Sequence, residues 1–268
     1  MKPELARQFH RLHADDVLLL ANAWDAGTAR LAQAAGARAV ATSSAAVAWA
    51  HGWPDGDALP VELVLQTVRA VAGAVDLPVT VDIEGGYDDD PARVGALVAR
   101  VIAAGAVGIN IEDGAGDPAL LAAKIAAARR AAVDSGVDLF INARTDVWLR
   151  GLAEPARRVS ETLERAARYR AAGASGLFVP GITDAGDIAA LVGDCGLPLN
   201  VLAWTGLPDL AQLRSLGVRR FSAGSAISEA MQGLVLGSMK QFLATGSLEG
   251  GDTAPLDYGR VQALMARR

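Results

Sequence analysis

Acidic residues and one arginine stand at the ends of short apolar segments, where each segment gives way to polar residues. Asp82 and Glu84 follow one segment, Glu112 ends the next, and Arg144 ends a third. Charges this close to buried chain cost several kcal/mol each unless they are paired or bind a metal. The opposite ends of these segments carry mostly Gly, Pro and apolar residues. This asymmetry indicates a functional site where the charged ends meet.

The spacing of the carboxylates indicates a metal ion. Asp82 and Glu84 are two residues apart, so both point to the same side of an extended strand. Together with Glu112 they offer hard oxygen ligands without sulfur or imidazole, which favours Mg²⁺, or Mn²⁺ in its place. We therefore predict a metal site formed by Asp82, Glu84 and Glu112. The alternative is that these carboxylates only form ion pairs with Arg144.

A carboxylate-bearing substrate suits the same region. Arg144 can grip a carboxylate or an enolate-like oxygen through two hydrogen bonds. Ser43, Ser44 and Ala45 follow another apolar segment, where their backbone N–H groups can face an anion. The predicted substrate-binding residues are Trp24, Ser43, Ser44, Ala45, Asp82, Arg144 and Asn200.

A sequence motif that occurs four times indicates the scaffold that positions these residues. A helical run ends at a glycine, and an apolar strand follows within a few residues, at Gly36, Gly105, Gly173 and Gly217. Glycine can take the left-handed conformation that commonly ends a helix. The motif therefore predicts repeated helix-to-strand joints.

Eight apolar strands alternate with these helical runs, a pattern typical of a parallel sheet covered by helices. Eight such units in 268 residues predict an α/β protein with a (β/α)₈ barrel of the TIM type. The structural alternative, which this pattern favours less, is an open doubly wound sheet. We assign residues 1–268 to one domain. The predicted strands lie near Val17–Ala23, Ala39–Ser43, Val79–Ile83, Val107–Glu112, Leu139–Ala143, Gly176–Pro180, Leu199–Ala203 and Arg219–Ser222.

Residues 226–268 are predicted to be a C-terminal helical extension. A long amphipathic helix runs from Ala226 to near Gly246, a Gly-Gly-Asp-Thr-Ala-Pro linker follows, and a short helix covers Leu256–Arg268. Barrel closure does not need this extension, so it either packs on the barrel or contacts another subunit.

Composition narrows the function classes. The net charge of −5, without a basic run, argues against nucleic acid or anionic membrane as a partner. The single cysteine, Cys195, excludes an intramolecular disulfide and a Cys-rich zinc site. His10 and His13 are expected on a solvated face of the first helix. The chain shows neither a signal-peptide core nor a membrane-length apolar run, so we expect a cytoplasmic protein.

Six short motifs resemble those of the isocitrate lyase/phosphoenolpyruvate mutase superfamily, and the similarity runs from about residue 17 to residue 221. Each motif is short, but all six occur in the right order at barrel spacing. They are Asn22-Ala-Trp-Asp-Ala-Gly-Thr-Ala-Arg-Leu31, Thr42-Ser-Ser-Ala-Ala46, Gly52-Trp-Pro-Asp55, Asp82-Ile-Glu-Gly-Gly-Tyr87, Gly108-Ile-Asn-Ile-Glu-Asp113 and Asn142-Ala-Arg-Thr-Asp146.

The resemblance implies roles for the charged residues. Asp82 would be the principal Mg²⁺ carboxylate, and Glu84 would act through metal-bound water. Asp55 and Glu112 would complete the outer sphere of the metal. Arg144 would bind the charge that develops on the substrate, so Arg144, Glu112 and Asp55 are the candidate catalytic residues.

The resemblance also implies a chemistry. Members of the superfamily cleave or form a C–C or P–C bond beside a 2-oxo acid through an enolate-like species, which Mg²⁺ and an arginine stabilise. Backbone N–H groups of Ser44 and Ala45 would face the substrate carboxylate or its oxo oxygen. Members commonly form tetramers by exchanging a C-terminal helix, which would give residues 226–268 a purpose. We expect a homo-oligomer, either a dimer or a tetramer.

Two departures from the superfamily pattern narrow the expected reaction. Glu84 stands where an aspartate is usual and is one methylene longer. The Lys-Lys/Arg-Cys-Gly-His loop of the lyases is replaced by the short stretch Glu112-Asp-Gly-Ala-Gly-Asp-Pro-Ala-Leu120, without Cys or His. The gating loop of the mutases, which carries lysine and asparagine, is not evident either.

We therefore predict a Mg²⁺-dependent carbon–carbon lyase that acts on a short 2-oxo or 2-hydroxy carboxylate by decarboxylation or retro-aldol cleavage. The enzyme alternatives are a phosphono- or acyl-hydrolase and a mutase on the same scaffold. Outside catalysis, the alternatives are a weakly catalytic 2-oxo acid binder and a structural protein without a ligand.

Overall fold

Parallel strands joined into one sheet form the centre of the molecule. The computed structural model describes residues 2–247 and 257–259. Within those ranges nine strand segments occur in the spatial order β1-β9-β8-β7-β6-β5-β4-β3-β2. Their bounds are β1 Leu18–Leu20, β2 Asn22–Ala23, β3 Val40–Thr42, β4 Val79–Asp82, β5 Gly108–Glu112, β6 Phe140–Arg144, β7 Gly176–Phe178, β8 Leu199–Leu202 and β9 Arg220–Ser222.

The sheet curls into a nearly closed barrel. β1 pairs with β9 and β2 pairs with β3, both in parallel, while only Ala21 separates β1 from β2 along the chain. The first predicted strand is therefore two segments that pair with opposite neighbours. The other seven predicted strands each match one observed strand. The predicted α/β barrel is confirmed.

Ten α-helices of the described ranges alternate with the strands, and each strand from β3 to β8 leads into at least one helix. Their bounds are α1 Lys2–Asp15, α2 Ala26–Ala34, α3 Ser44–Ala50, α4 Val61–Ala74, α5 Pro91–Ala104, α6 Pro118–Asp134, α7 Arg158–Ala172, α8 Ala185–Asp194, α9 Leu210–Ser215 and α10 Ala226–Thr245, with a 3₁₀ helix over Pro155–Arg157.

Local chemistry sets the helix ends. An aspartate side chain accepts a first-turn backbone N–H at the start of five helices, and proline stands in the first turn of α5 and α6. The four glycines of the recurring motif have φ between +88° and +120°, which confirms the predicted left-handed joints. The N-terminal aspartates are Asp25, Asp90, Asp117, Asp184 and Asp209.

Helix α1 covers the N-terminal end of the barrel. The Phe9 ring packs edge-on against Phe140, with centroids 5.4 Å apart. A Cβ atom at Gly108 would lie 2.7 Å from the Phe9 ring, so β5 must begin with glycine. The expectation of a solvated His13 is wrong, because this residue is 3% exposed and its ring stacks on Phe140 at 3.9 Å. Burial lowers the pKa of His13 to about 3.

The predicted long C-terminal helix is present as α10, which ends at Gly246 with φ +69°. Several of its apolar side chains are exposed, namely Ile227, Leu234, Met239, Phe242 and Leu243. The predicted linker over 250–255 lies outside the described residues. Of the predicted terminal helix, only 257–259 are described. No helix in the described part of the chain is both long and apolar enough to cross a membrane.

Candidate active site

Three neighbouring strands end in charged residues at the mouth opposite α1. Asp82, Glu112 and Arg144 are the last residues of β4, β5 and β6. The register places Glu112 beside Arg144, and Nη1 of Arg144 lies 2.7 Å from Oε2 of Glu112. Both side chains of this ion pair are about one-sixth exposed or less. The carboxyl ends of parallel strands thus bring together the charges that were dispersed in the sequence.

Asp146 holds the Arg144 guanidinium from the other side. Nε and Nη2 of Arg144 donate to the two Asp146 carboxylate oxygens at 2.7 and 3.0 Å. Asp146 is fully buried and also accepts a hydrogen bond from Arg150 at 2.9 Å. Burial by itself would lower the pKa of Arg144, but Glu112 and Asp146 raise it above the ordinary arginine value. Arg144 is therefore a fixed cation. Asp146 belongs to the sequence motif at 142–146, but it was not among the predicted site residues.

A second buried carboxylate fixes Asp146 in turn. Oδ1 of Asp113 accepts the backbone N–H of Asp146 at 3.0 Å. Oδ2 of Asp113 accepts hydrogen bonds from Arg165 at 2.8 Å and from the Tyr169 hydroxyl at 2.6 Å. Side chains from α7 therefore reach Asp113, just after β5, and through Asp146 the arginine at the end of β6.

Asp82 is held by neutral groups only. Its carboxylate accepts hydrogen bonds from the Ser44 hydroxyl at 3.3 Å and from the Glu84 N–H at 3.2 Å. No Lys or Arg of residues 2–247 and 257–259 forms an ion pair with it. Burial raises the pKa of Asp82, although the nearby Arg144 opposes that shift.

Glu84 lies past the strand end, in a turn. β4 stops at Asp82 and Glu84 has φ +51°, so these two residues do not share one face of a strand, as their spacing had predicted. Oε2 of Glu84 accepts the backbone N–H groups of Gly56 and Asp57, and Oε1 accepts the Tyr87 hydroxyl at 2.7 Å. Burial raises the pKa of Glu84 to about 7.

Asp55 lies in the loop between α3 and α4. The backbone N–H groups of the next two residues, Gly56 and Asp57, donate to Glu84. Oδ2 of Asp55 accepts the hydroxyl of Tyr258 at 2.7 Å. Neither Tyr258 nor Tyr87 was singled out from the sequence, because nothing local marks a tyrosine as the partner of a carboxylate.

The remaining predicted substrate contacts are unevenly placed. Ser43 caps α3, accepting the N–H of Ala46 at 3.5 Å, and Ser44 and Ala45 form the first turn of that helix beside Asp82. Trp24 is 7% exposed within the core, and Asn200 is fully buried and accepts the Ser222 hydroxyl at 3.1 Å. The structure therefore places Ser44 beside Asp82 and keeps Trp24 and Asn200 in the interior.

The barrel interior also holds an unforeseen cation. Arg220, on β9, is 1% exposed and donates from Nη2 to Asn110 at 3.0 Å. Burial lowers its pKa, while the charge of Asp82 opposes that shift. A sequence signal exists in the adjacent Arg219 and Arg220, because charged residues are rare inside an apolar strand.

The donor set fits a magnesium ion. Among the residues that the structure describes, no three His, Cys, Asp or Glu side chains are arranged to enclose a metal. Mg²⁺ usually needs only one or two carboxylates and keeps several waters, so a full protein cage is not required. Asp82 has hard oxygens, is desolvated and has no cationic partner within ion-pair distance in the described part of the chain. Burial also raises the pKa of Glu112.

Comparison with known sequences gives a family match over most of the chain. The profile of the family described as phosphoenolpyruvate phosphomutase matches residues 9–243. The uncharacterised protein Rv1998c of Mycobacterium tuberculosis is 40% identical over 223 residues, 81% of each chain. The 2-methylisocitrate lyase of Escherichia coli is 32% identical over 65% of this chain and 60% of that protein. An oxaloacetate decarboxylase of Bradyrhizobium is 30% identical over 70% of this chain and 67% of that protein.

Solved structures agree with that match. A protein of Burkholderia cenocepacia J2315, provisionally described as a phosphonomutase, is 42% identical with a TM-score of 0.84, over 89% of this chain and 99% of that one. A phosphonopyruvate hydrolase solved with oxalate and Mg²⁺ has a TM-score of 0.80 over 98% of this chain and 95% of that one. At 24% identity, the second likeness concerns the fold alone.

Proposed function

Because the chain belongs to the phosphoenolpyruvate phosphomutase family, as its six motifs had indicated, we propose that it is a Mg²⁺-dependent lyase. The proposed reaction cleaves a C–C bond next to the 2-oxo group of a short carboxylate, through an enolate-like intermediate. The family and its relatives include mutases, lyases and decarboxylases. Catalysis by this chain is therefore supported at the level of the superfamily, and the particular bond is our proposal.

One observation carries the proposal: a fixed arginine ends β6 and a desolvated carboxylate ends β4, both at one mouth of the barrel. Arg144 is locked between Glu112 and Asp146, so it needs no reorganisation to bind an anion. Asp82 lies two strands away, without an ion-pair partner among residues 2–247 and 257–259. A fixed cation and a metal-binding carboxylate are what a developing enolate requires.

Each residue then has a proposed task. Arg144 binds the substrate carboxylate or the oxygen on which charge develops, and the Ser44 hydroxyl orients Asp82. Asp82 would hold Mg²⁺ directly, and Glu84 and Glu112 would contribute through water rather than as a three-carboxylate cage. When bound, Mg²⁺ supplies positive charge that stabilises the enolate oxygen. A preorganised donor such as Arg144 lowers the activation barrier by about 3–4 kcal/mol.

The loop after β5 favours decarboxylation among the possible cleavages. Residues 113–117 read Asp-Gly-Ala-Gly-Asp, without Cys, His or Lys to act as an acid. When an oxaloacetate-like substrate loses CO₂, the electrons of the broken C–C bond pass to the enolate, and water can supply the proton to carbon. The relative named oxaloacetate decarboxylase supports the same choice.

A small cavity lies beside Asp82, at the place proposed for the metal and the substrate. Four valines form its apolar wall. The lining residues are Thr42, Ser44, Val47, Val64, Val68, Val81, Asp82 and Tyr87.

A substrate comparison tests the proposal. Oxaloacetate, 2-methylisocitrate and phosphonopyruvate are each supplied with Mg²⁺ or with EDTA, and pyruvate, succinate and phosphate are measured. We expect Mg²⁺-dependent release of pyruvate from oxaloacetate. Phosphate release from phosphonopyruvate alone would instead establish the hydrolase. Mg²⁺-dependent binding of oxalate without turnover would establish a binder, and no response to any of these compounds would leave a structural protein.

We also propose that the protein is a homo-oligomer assembled through α10. The exposed side chains of Ile227, Met239, Phe242 and Leu243 form an apolar surface that is costly to leave in water. Light scattering should give a dimer or tetramer mass, and Phe242→Glu with Leu243→Glu should shift it toward the monomer. A monomeric wild type would contradict the assembly without touching the proposed chemistry.

A further inference from the structure

Tyr258 links the end of the chain to the mouth of the barrel. It lies 203 residues after Asp55, and its hydroxyl donates to Oδ2 of Asp55 at 2.7 Å. The Tyr258 ring also contacts the ring of Trp49, with centroids 5.4 Å apart and planes inclined by 60°. Trp49 is 2% exposed and lies near the end of α3, so its ring is held in place by its surroundings. Contacts therefore hold both the ring and the hydroxyl of Tyr258.

The phenol stands within the electrostatic field of the candidate site. Burial raises the pKa of Tyr258, the negative charges of Asp55 and Glu84 raise it further, and Arg144 lowers it. The hydroxyl therefore stays protonated across the physiological range and can only donate to the Asp55 carboxylate. Tyr258 is 42% exposed, and its hydrogen bond to Asp55 places its hydroxyl at the barrel mouth.

The loop that carries Asp55 is held at two points. The N–H groups of Gly56 and Asp57 donate to Glu84, at the end of β4. This turn has left-handed backbone at both residues, with φ +102° and +54°, a conformation that costs energy for Asp57. Tyr258 supplies the second point through Asp55. The Tyr258 hydroxyl therefore adds a donor that orients the Asp55 carboxylate at the barrel mouth.

We propose that Tyr258 is a positioning residue of the active site, which acts by fixing the Asp55 carboxylate at the barrel mouth. This inference rests on the proposed function, because Asp55 is a candidate catalytic residue there. It assigns the C-terminal segment a part in the chemistry, in addition to any part in assembly.

The test compares two tyrosines that differ in the carboxylate they serve. Tyr258→Phe removes the donor to Asp55 and keeps the ring contact with Trp49. Tyr169→Phe removes a donor of similar length, 2.6 Å, from Asp113, far from the Asp55 loop in sequence. A hydrogen bond to a charged group is worth a tenfold to roughly hundredfold effect. We expect Tyr258→Phe to lower kcat on oxaloacetate about tenfold and to change KM less than about threefold.

A measurement on the metal-free protein separates positioning from general damage. Amide hydrogen exchange at Gly56 and Asp57 should become faster in Tyr258→Phe and stay unchanged in Tyr169→Phe, because only the first releases the loop. The melting temperature should fall in Tyr169→Phe, whose partner Asp113 is buried, and stay within about 2 °C of wild type in Tyr258→Phe.

A double-mutant cycle with Asp55→Ala identifies the route of action. If Tyr258 acts through Asp55, Tyr258→Phe has no further effect on oxalate affinity or turnover once Asp55 is alanine. Additive effects would overturn the proposal, as would unchanged exchange and unchanged kcat in Tyr258→Phe. If wild type turns over no 2-oxo acid, the proposed function fails, and exchange with Mg²⁺-dependent oxalate affinity still decides the role of Tyr258.

Discussion

The mouth of the barrel has two sides that handle buried charge differently. On the arginine side, formed by Asp113, Arg144, Asp146 and Arg165, each carboxylate has a guanidinium partner. On the acidic side, formed by Asp55, Asp57, Asp82 and Glu84, the hydrogen bonds to Asp82 and Glu84 come from hydroxyl and N–H groups. Neutral donors orient a carboxylate without cancelling its charge.

The difference shows on which side the charges are compensated by other residues of this chain. On the arginine side the Coulombic attraction offsets the cost of desolvation, and the resulting network is rigid before any ligand arrives. On the acidic side, burial raises the pKa of Asp82 and brings that of Glu84 to about 7. The acidic side therefore favours a bound cation, whereas the arginine side holds its guanidinium in place without one.

The largest expected effect comes from Asp82→Ala, which removes a carboxylate that forms no ion pair with a Lys or Arg of the described ranges. We expect Mg²⁺-dependent turnover to fall at least about 10³-fold, since one metal or oxyanion contact contributes several kcal/mol. The metal-free protein should unfold at the same urea concentration or higher, because a desolvated charge is lost. Asp134→Ala, at an exposed position of α6, is the control. Full activity in Asp82→Ala would remove the distinction between the two sides.

Asp146→Ala should produce the next largest effect, now on stability. It leaves Arg144 with Glu112 as its only carboxylate at ion-pair distance in the described ranges, and breaking a buried pair costs about 3–5 kcal/mol. Urea unfolding of the metal-free protein measures it. Glu4→Ala, which breaks an exposed pair with Arg7, should leave the urea midpoint almost unchanged. Equal losses in both variants would mean that the arginine side is not a buried network.

The pH dependence of the metal-free protein sharpens the comparison further. The pKa of the Glu84 carboxyl rises on folding from 4.5 to about 7. Its contribution to stability is therefore fully present below pH 4.5 and is lost as the pH rises through about 7. The melting temperature in EDTA should therefore fall by on the order of 5 °C between pH 5 and pH 8. Saturating Mg²⁺ should reverse the fall, and Glu84→Gln should flatten it. A melting temperature that rises over this range would contradict the assignment.

The smallest effects come from a matched pair of tyrosines, one on each side. Tyr87→Phe removes a donor to Glu84, and Tyr169→Phe removes a donor to Asp113. Each should cost about 1–2 kcal/mol of unfolding free energy at pH 8. Mg²⁺ should restore more of the loss in Tyr87→Phe, where it replaces a missing partner of the carboxylate. Equal restoration in both variants would show that the metal does not distinguish the two sides.

The sequence alone determined the barrel and the end of the barrel at which the charges lie. Strand and helix patterns are local, and so are the glycines whose left-handed conformation ends four helices. Since parallel strands all end at one mouth, the order of the elements was enough to bring Asp82, Glu112 and Arg144 together. The same logic failed for Glu84, because the strand stopped two residues earlier.

Only the tertiary structure decided how each charge is neutralised. Asp113 is joined to Arg165 on α7 and to the backbone of Asp146, and Tyr258 reaches Asp55 across 203 residues of chain. His13 and Arg220 became buried because their neighbours close the interior, which no periodicity reveals. The physical reason is that hydrogen bonds and ion pairs act over a few ångströms in space, whereas sequence patterns report only on neighbours along the chain.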